Sequence, residues 1–515
     1  MNVFLRNVPV LLVFLTLAAF GWIWGGGGGH SDKLMPTIAW LYLFLFEALL
    51  FFPQRRPYED ALSARHRCWH GLRRDPLLWV TVAFLVLLVM PFMNRALCPV
   101  CDFAEIHRTA AATGLSPEEV AQPQIPFAPF CVDMKDHFAV VLWFLPALTA
   151  MLAAKHALLR QGKRALMEMI VWNAAALAVF GFVEMATGAE FPYWTKAPAP
   201  VKFFSTFSYP NRAGSFFVMA FAFSIGLWQH RVAEAATAQD PKAQGGSRER
   251  ILQKWLRAHY PLVPATLNFF GALCTLSRAA LMLLFSLAAL AFLYYECSLL
   301  FSRHERSRRI RSAAIGFGGA LFFLLVVSVF APPELSRELG TLDATGVADR
   351  MTGKTEHHAR VAMGIFKDHP VFGAGGWGYR HLCRMKMTEK ENAGFRWQAG
   401  AANVHNDYLQ VLCEHGAVGA LLLLSIFLLL VTPLFMEWYG LYRTARFTKT
   451  DKAPPKPRAV YCLPAGTFWI LAGDTALLIH AFGDCPMRAG SILGMFFVSL
   501  ACAEGYLPRE QGGGK

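Results

Sequence analysis

The sequence predicts an all-α integral membrane protein with about twelve transmembrane helices. Hydrophobic residues make up 55% of the 515 residues and charged residues only 16%, whereas soluble domains average about 25% charged residues. The apolar residues also fall into runs of roughly 20 residues, the length that a helix needs to cross a bilayer. Composition and run length together indicate one polytopic membrane domain over residues 1–515.

The order of these runs gives the predicted elements. The run from 261 to 301 is too long for one crossing and is interrupted by Ser277 and Arg278, so we expect two helices joined by a tight turn. The predicted spans are 8–25, 35–53, 77–93, 137–154, 165–187, 213–229, 261–276, 279–301, 314–331, 416–437, 463–483 and 489–506.

The loops between the runs predict the orientation. Arginine and lysine are concentrated after the second, fourth, sixth, eighth and tenth runs. Because cytoplasmic loops carry this excess of basic residues, both termini are predicted to be cytoplasmic. The net charge of +14 is largely explained by these loops. No separate sign of nucleic-acid binding remains, so we expect no nucleic-acid partner.

The opposite side of the membrane carries the longest segments between spans. Residues 332–406 lie between the ninth and tenth runs and are too long for a passive connector. Within them, Val361, Ile365 and Phe366 predict an amphipathic helix that Pro370 ends. Long outward loops of this kind commonly carry function.

A second outward loop, 94–136, contains Cys98, Cys101 and Cys131. One Cys-x-x-Cys pair without a second pair is weak evidence for zinc, so no metal site is expected. In an oxidising compartment a disulfide between Cys131 and one member of the pair is favoured.

The segment "HNDYLQVLCEHGAVG" at 405–419 is the strongest candidate for chemistry. His405 can take up and release a proton near neutral pH, and it stands just before an apolar run. A base at the mouth of a membrane protein is suited to deprotonating a hydroxyl. The structural alternative is a His-Asn pair that caps a helix, because asparagine is a preferred capping residue.

Two arginines are predicted on the same side as His405. Arg278 lies in the turn between two spans, and Arg360 lies in the amphipathic helix of the 332–406 loop. Alone, each has a plain interpretation: an interfacial arginine for Arg278 and a solvated helix face for Arg360. Together with a base, two guanidinium groups suit a substrate that carries a diphosphate.

At this point the chain resembles the O-antigen ligase and O-antigen polymerase superfamily. The His-Asn-x9-Gly-x-x-Gly pattern at 405–419 matches the ligase signature. "TLSRAALML" at 275–283 and "HARVAMGIFKDHPVFGAGGWGYR" at 358–380 resemble the arginine motifs of the family. "FSYPNRAGSFF" at 207–217 and "IHAFGDCPMRAG" at 479–490 are similar to two further family segments. The resemblance covers a core of roughly residues 200–500.

The resemblance implies a GT-C-like, metal-independent glycosyltransferase in the bacterial inner membrane, with its active site facing the periplasm and no cofactor. The donor would be a glycan on undecaprenyl diphosphate, and the acceptor would be lipid A-core or a growing glycan. By analogy, Arg278 and Arg360 hold the diphosphate, and His405 is the base. Asn211, Arg212 and Asn406 would line the same substrate cavity. His357, His358 and His369 are expected to be surface residues.

Several functions remain open from the sequence. Ligation is the first hypothesis, and polymerisation of O-antigen or exopolysaccharide is the alternative, since polymerases share the same core. A transporter of lipid-linked or anionic cargo would also use basic residues in a cavity, but the two halves show no repeat. A membrane scaffold would leave the pattern at 405–419 unexplained. The loop 94–136 matches nothing in the family.

Overall fold

The structure, a computed structural model, describes residues 2–23, 25, 50, 52–94, 96, 103–196, 202–237, 248–300, 318, 344–388, 391, 403–447 and 463–507. These residues contain helices and two isolated β-bridges, and no strand. The helices are α1 (Asn2–Trp22), α2 (Ala61–Arg74), α3 (Pro76–Val89), α4 (Phe103–Thr113), α5 (Pro117–Val120), α6 (Met134–His156), α7 (Arg160–Ala186), α8 (Pro210–Thr237), α9 (Arg248–His259), α10 (Leu262–Cys274), α11 (Arg278–Leu300), α12 (Ala344–Asp368), α13 (Gly378–Leu382), α14 (Asp407–Phe447), α15 (Ala465–His480) and α16 (Gly490–Ala503).

Five of the described helices are long and apolar enough to cross a membrane. They occupy Pro76–Met93, Met134–His156, Arg160–Ala186, Pro210–Ala235 and Asp407–Gly440, and each overlaps a predicted run over nearly its whole length. The prediction of a helical chain with several helices able to span a membrane is thereby confirmed for the described residues. The number twelve stays a prediction, because the runs 35–53 and 314–331 lie almost entirely outside the described residues.

The chain divides into two compact units. Unit 1 comprises residues 1–170, 348–467 and 478–515, and unit 2 comprises residues 171–347 and 468–477. In unit 1, α6 packs along α16, and α3 packs against α14. In unit 2, α8 packs against α9, α10 and α11.

The predicted turn between two helices is present in unit 2. Helix α10 ends at Cys274, and α11 begins at Arg278. Between them, Leu276 has a positive φ of 53°. The Oγ1 atom of Thr275 donates to the Ala272 carbonyl over 2.7 Å. The run 261–301 is therefore two helices, as its length required.

The segment 94–136, which resembled nothing in the family, contributes to a hydrophobic core with α12 and α13 in unit 1. Its helices α4 and α5 contribute Ile106, Ala110 and Val120 to this core. From the other side come Val361 and Ile365 of α12, two of the residues that predicted an amphipathic helix. Helix α12 ends at Asp368, two residues before Pro370, as predicted.

The membrane helix after the His-Asn pair starts earlier than predicted. The apolar run was expected at 416–437, but α14 begins at Asp407 and is kinked at Gly416, where φ is 64° and ψ is −171°. The apolar pattern could not locate this start, because the first turns of α14 contain the buried polar residues Asp407, Gln410 and Glu414.

The kink at Gly416 is matched by the segment 370–376, which runs beside it. The N–H groups of Ala417 and Val418 donate to the carbonyls of Pro370 and Val371 over 2.9 and 3.1 Å. A Cβ atom at Gly416 would overlap the Val371 carbonyl. The glycine-containing segments 370–376 and 416–419 therefore pack directly on each other. Only a glycine fits at position 416, where the two backbones touch.

Candidate active site

His405 lies in the turn that leads into α14, with a positive φ of 55°. A residue other than glycine seldom adopts this conformation, although histidine does so more often than most. The turn is fixed by the N–H of Val404, which donates to Oε1 of Gln410 over 2.7 Å. The backbone thus presents the His405 imidazole at a defined place beside the helix start.

Asn406 is the N-terminal cap of α14. Its Oδ1 atom accepts from the N–H of Leu409 over 3.0 Å, which satisfies one of the unpaired donors at the helix start. Its Nδ2 atom donates to the Phe482 carbonyl over 3.1 Å. The capping interpretation of Asn406 is therefore correct, and the cap also holds the loop that follows α15.

That loop, residues 481–489, wraps the start of α14. The N–H of Asp407 donates to the Ala481 carbonyl over 2.9 Å. The N–H of Met487 donates to Oδ2 of Asp407 over 3.0 Å. The Asp407 carboxylate thus fixes the loop that carries Asp484.

Asp484 is the partner of His405. The Nδ1 atom of His405 donates to Oδ1 of Asp484 over 3.2 Å, and the Asp484 side chain is only 3% exposed against 28% for His405. Burial alone would raise the pKa of Asp484, but the hydrogen bond and the charge of His405 outweigh it and hold the pKa below its usual value. Asp484 is therefore a carboxylate at neutral pH.

A buried ion pair joins the same helix and loop. Arg488 pairs with Glu414 of α14, and the Arg488 guanidinium lies 4.8 Å from the centre of the Trp377 ring. Glu414 also accepts from Nε2 of Gln410 over 2.6 Å. A charge in the protein interior needs such partners, so this pair ties the loop 481–489 to the helix that His405 precedes.

His358 packs on His405, with ring centres 5.6 Å apart. Its Nδ1 atom shares a 2.7 Å hydrogen bond with the hydroxyl of Tyr379, whose side chain is fully buried. Burial raises the pKa of Tyr379. His357, His358 and His369 are all partly exposed, and His358 also contacts His405.

Arg360 lies on α12 and is bound by a carboxylate. Its Nη2 atom donates to Oε1 of Glu391 over 2.5 Å, and Nδ1 of His357 donates to the same oxygen over 2.8 Å. The Arg360 side chain remains 49% exposed. Arg360 thus lies on a solvated helix face and pairs with a carboxylate of the chain itself, and its role toward a diphosphate stays a prediction.

Arg278, Asn211 and Arg212 lie in unit 2. Arg278 is the first residue of α11, and the Oγ atom of Ser277 accepts from the Ala280 N–H over 3.4 Å at this helix start. Gly214, in the first turns of α8, packs against Ser277 and Ala280. The starts of α8 and α11 are therefore neighbours, and these starts carry Arg212 and Arg278.

Asn211 and Arg212 are arranged around Tyr209. Asn211 donates from Nδ2 to the Tyr209 hydroxyl over 3.0 Å, and the Arg212 guanidinium lies 5.7 Å from the centre of the Tyr209 ring. The Nε atom of Arg212 is buried and has no hydrogen-bond partner within the part of the chain that the structure describes. A buried charged donor without an acceptor is costly.

The middle of the chain matches a known protein family. Residues 264–424 match the family model described as O-Antigen ligase. Over this segment the chain is similar to O-antigen ligases. The matched segment contains Arg278, Arg360 and His405, whereas Asn211, Arg212 and Asp484 lie outside it. A search of curated proteins found no match.

The structure brings some of the predicted residues together within a unit. His405 and Asn406 meet around the start of α14, and Arg360 lies in the same unit on the helix that supplies His358. Asn211, Arg212 and Arg278 are grouped in unit 2.

Asp484 is a site residue that the sequence did not predict. It lies 79 residues after His405, and no spacing rule relates the two. The signal available was an aspartate and an arginine in "IHAFGDCPMRAG", at the boundary between two apolar runs. Charged residues at such a boundary are candidates for function.

The His405–Asp484 pair defines which nitrogen can act as a base. Because Nδ1–H donates to the carboxylate, Nε2 carries the lone pair of the neutral imidazole. Ligand atoms of His405, Asp484 and Cys485 also lie within 4.8 Å of one another, a set that could hold a metal ion. The 3.2 Å hydrogen bond accounts for the approach of His405 to Asp484 without one.

Proposed function

We propose that this protein is a membrane glycosyltransferase that moves a glycan from undecaprenyl diphosphate to an acceptor hydroxyl. The proposed acceptor is lipid A-core, which makes the protein an O-antigen ligase. The match to the O-Antigen ligase family over residues 264–424 supports this reaction class. The observation that carries the proposal is the hydrogen bond from His405 to the buried carboxylate of Asp484.

In the proposed reaction, Nε2 of His405 takes the proton of the acceptor hydroxyl as its oxygen attacks the anomeric carbon. The bond between that carbon and the diphosphate oxygen breaks, and its electron pair leaves with undecaprenyl diphosphate. Asp484 stabilises the imidazolium that forms and fixes the tautomer of His405. A positioned base of this kind contributes about 10²–10⁴-fold to the rate.

The charge on the departing diphosphate requires cations. We assign this role to Arg278 and Arg360, because guanidinium groups bind phosphate oxygens through two donors and remain charged. We assign Asn211 and Arg212 to the same substrate. The buried Nε atom of Arg212 lacks an acceptor in the described residues, so a substrate oxygen could supply one. Asn406 is proposed to contact substrate through its position next to His405.

With two or three guanidinium groups in place, the reaction needs no metal to neutralise the diphosphate. We therefore propose a metal-independent enzyme without a cofactor. Transfer by the purified protein should be unchanged in EDTA. Loss of transfer in EDTA, restored by one divalent metal, would contradict this part of the proposal.

The proposed location is the bacterial inner membrane, with the site facing the periplasm. The excess of arginine and lysine in the predicted cytoplasmic loops supports this orientation. Lipid-linked glycan and acceptor lipid would both reach the site from the outer leaflet.

The surface glycan of a deletion strain tests the proposed function. A ligase deletion should leave bare lipid A-core, with glycan accumulating on its lipid carrier. If single glycan units remain attached and only the long chains are lost, the protein is a polymerase. If purified protein moves no glycan and the carrier-linked glycan stays on the cytoplasmic side, the protein is a transporter.

A further inference from the structure

The Glu391 carboxylate binds Arg360, the residue that is proposed to bind the diphosphate of the donor. Oε1 of Glu391 accepts from Nη2 of Arg360 over 2.5 Å and from Nδ1 of His357 over 2.8 Å. Oε2 of the same residue accepts from the N–H of Thr388 over 2.7 Å. Three N–H donors of different kinds therefore converge on one anion.

His357 and Arg360 are three residues apart on α12, so their side chains lie on one face of the helix. The Nη1 atom of Arg360 also lies 3.4 Å from the Lys386 carbonyl, which limits the movement of the guanidinium. The two donors are thus held on one face of one helix and can bind the same anion.

Glu391 is an anion at neutral pH. The hydrogen bond from the Thr388 N–H and those from Arg360 and His357 lower the pKa of Glu391 to about 2. The carboxylate is 30% exposed, so an incoming phosphate could reach the donors that it occupies.

We propose that His357 and Arg360 form one subsite for a phosphate group of the lipid-linked donor, and that the Glu391 carboxylate occupies this subsite until the donor displaces it. The proposal rests on the proposed function, because it takes the diphosphate as the anion. It adds His357 as a phosphate ligand and Glu391 as a competitor built into the chain.

Glu391 could instead have a structural role, and removal of its charge would then have the opposite effect on donor binding. Glu391 also accepts from the Thr388 N–H, and its own N–H lies 3.4 Å from the Thr388 hydroxyl, which is the geometry of a capping box. In that case Glu391 shapes the backbone and orients Arg360, and its charge assists donor binding. Removal of the charge would then weaken binding.

The substitution Glu391→Gln distinguishes the competing carboxylate from the structural role, because glutamine also serves in a capping box but carries no charge. A competing carboxylate lowers the fraction of protein that is ready to bind. Its removal should reduce the donor KM about two- to fivefold, as expected for a partly exposed ion pair. The kcat should not fall. Glu356→Gln removes an exposed charge from the same helix and should change nothing.

The role of His357 is tested in the Glu391→Gln background. If His357 binds phosphate, adding His357→Ala should raise the donor KM at least several-fold relative to Glu391→Gln alone. If His357 serves only to hold Glu391, the added substitution should have no effect, and His357 is removed from the subsite.

Binding of inorganic pyrophosphate to the purified protein, measured by titration calorimetry, keeps this test independent of transfer. Glu391→Gln should bind pyrophosphate more tightly than wild type by the same factor as the change in KM. Equal or weaker binding would overturn the proposal even if the enzyme transfers glycan. A protein that binds pyrophosphate as described but never transfers glycan would refute the proposed function and leave the subsite standing.

Discussion

His405 occupies a left-handed backbone conformation, which costs a residue other than glycine about 1–3 kcal/mol. Such a conformation persists because its surroundings impose it. Here the Asn406 cap, the Gln410 side chain and the loop 481–489 each hold one part of the turn. The strain lies at the residue assigned the base role, as is common at active sites.

At Asp484 we predict a large loss of transfer on substitution by asparagine. The amide can donate to Nδ1 of His405, which would favour the tautomer that carries its proton on Nε2, the nitrogen assigned to take up the acceptor's proton. The kcat of Asp484→Asn should fall about 10²–10⁴-fold, with the donor KM little changed. Asp368→Asn, which alters an exposed carboxylate on α12, is the control. An Asp484→Asn enzyme with wild-type kcat would show that the pair is only structural.

A second prediction at this scale concerns Arg278 and Arg360. Lysine supplies a charge but not the planar pair of donors, so Arg278→Lys and Arg360→Lys should each transfer more slowly than wild type. Loss of a charge-assisted contact costs about 1.5–3 kcal/mol, on the order of tenfold to a hundredfold in rate. Kinetics on purified, normally expressed variants measure this. An alanine variant with a near wild-type rate would remove that arginine from the site.

The helix α14 and the segment 370–376 form the element that places His405. The kink at Gly416 directs two N–H groups to the carbonyls of Pro370 and Val371, while the N–H of Ala374 donates to the Cys413 carbonyl over 2.9 Å. At the other end of the segment, the N–H of Gly376 donates to Nδ1 of His137 in α6 over 2.7 Å. Segment 370–376 thus links α14 to α6.

Gly416→Ala tests this link. The alanine Cβ would overlap the Val371 carbonyl, and its backbone would be held at a positive φ of 64°. We expect the free energy of unfolding to fall by about 1–3 kcal/mol or more, visible as a lower thermal midpoint in detergent. Gly440→Ala in the same helix meets no atom within 4 Å and serves as the control. Equal midpoints for Gly416→Ala and wild type would mean that the kink is not needed.

The sequence predicts the elements of this site better than their contacts. Amphipathic spacing and Pro370 predicted α12 and its end, because helix periodicity and a helix terminator are local signals. The apolar pattern alone located the α14 span at 416–437, because buried polar residues interrupt that pattern at the start of the helix, and the cap at Asn406 was offered only as an alternative to a catalytic role. Asp484 and Glu391 were missed because their contacts with His405 and Arg360 join distant parts of the chain, which no local spacing encodes.

At the scale of the whole molecule, loop charge predicts the topology. Basic residues follow alternate spans, so both termini are expected in the cytoplasm and residues 332–406 on the opposite side. Five described helices meet the requirements of a span, and none of them tests the direction of crossing.

Reporter fusions or cysteine labelling at Gly340 and Lys452, both outside the described residues, test this topology. We expect Gly340 to be accessible from the periplasm and Lys452 from the cytoplasm. Labelling of both positions from the same side would contradict the topology, and with it the assembly of His405 and Arg360 on one face of the membrane.

The central claim is that His405 is the general base of glycan transfer. The most direct measurement is the transfer rate of purified His405→Gln with lipid-linked glycan and acceptor, because glutamine keeps a hydrogen-bonding side chain but takes up no proton at neutral pH. We predict a fall of about 10²–10⁴-fold, with donor binding largely retained. If His405→Gln transfers glycan as fast as wild type, the imidazole only orients the acceptor and the assignment is wrong.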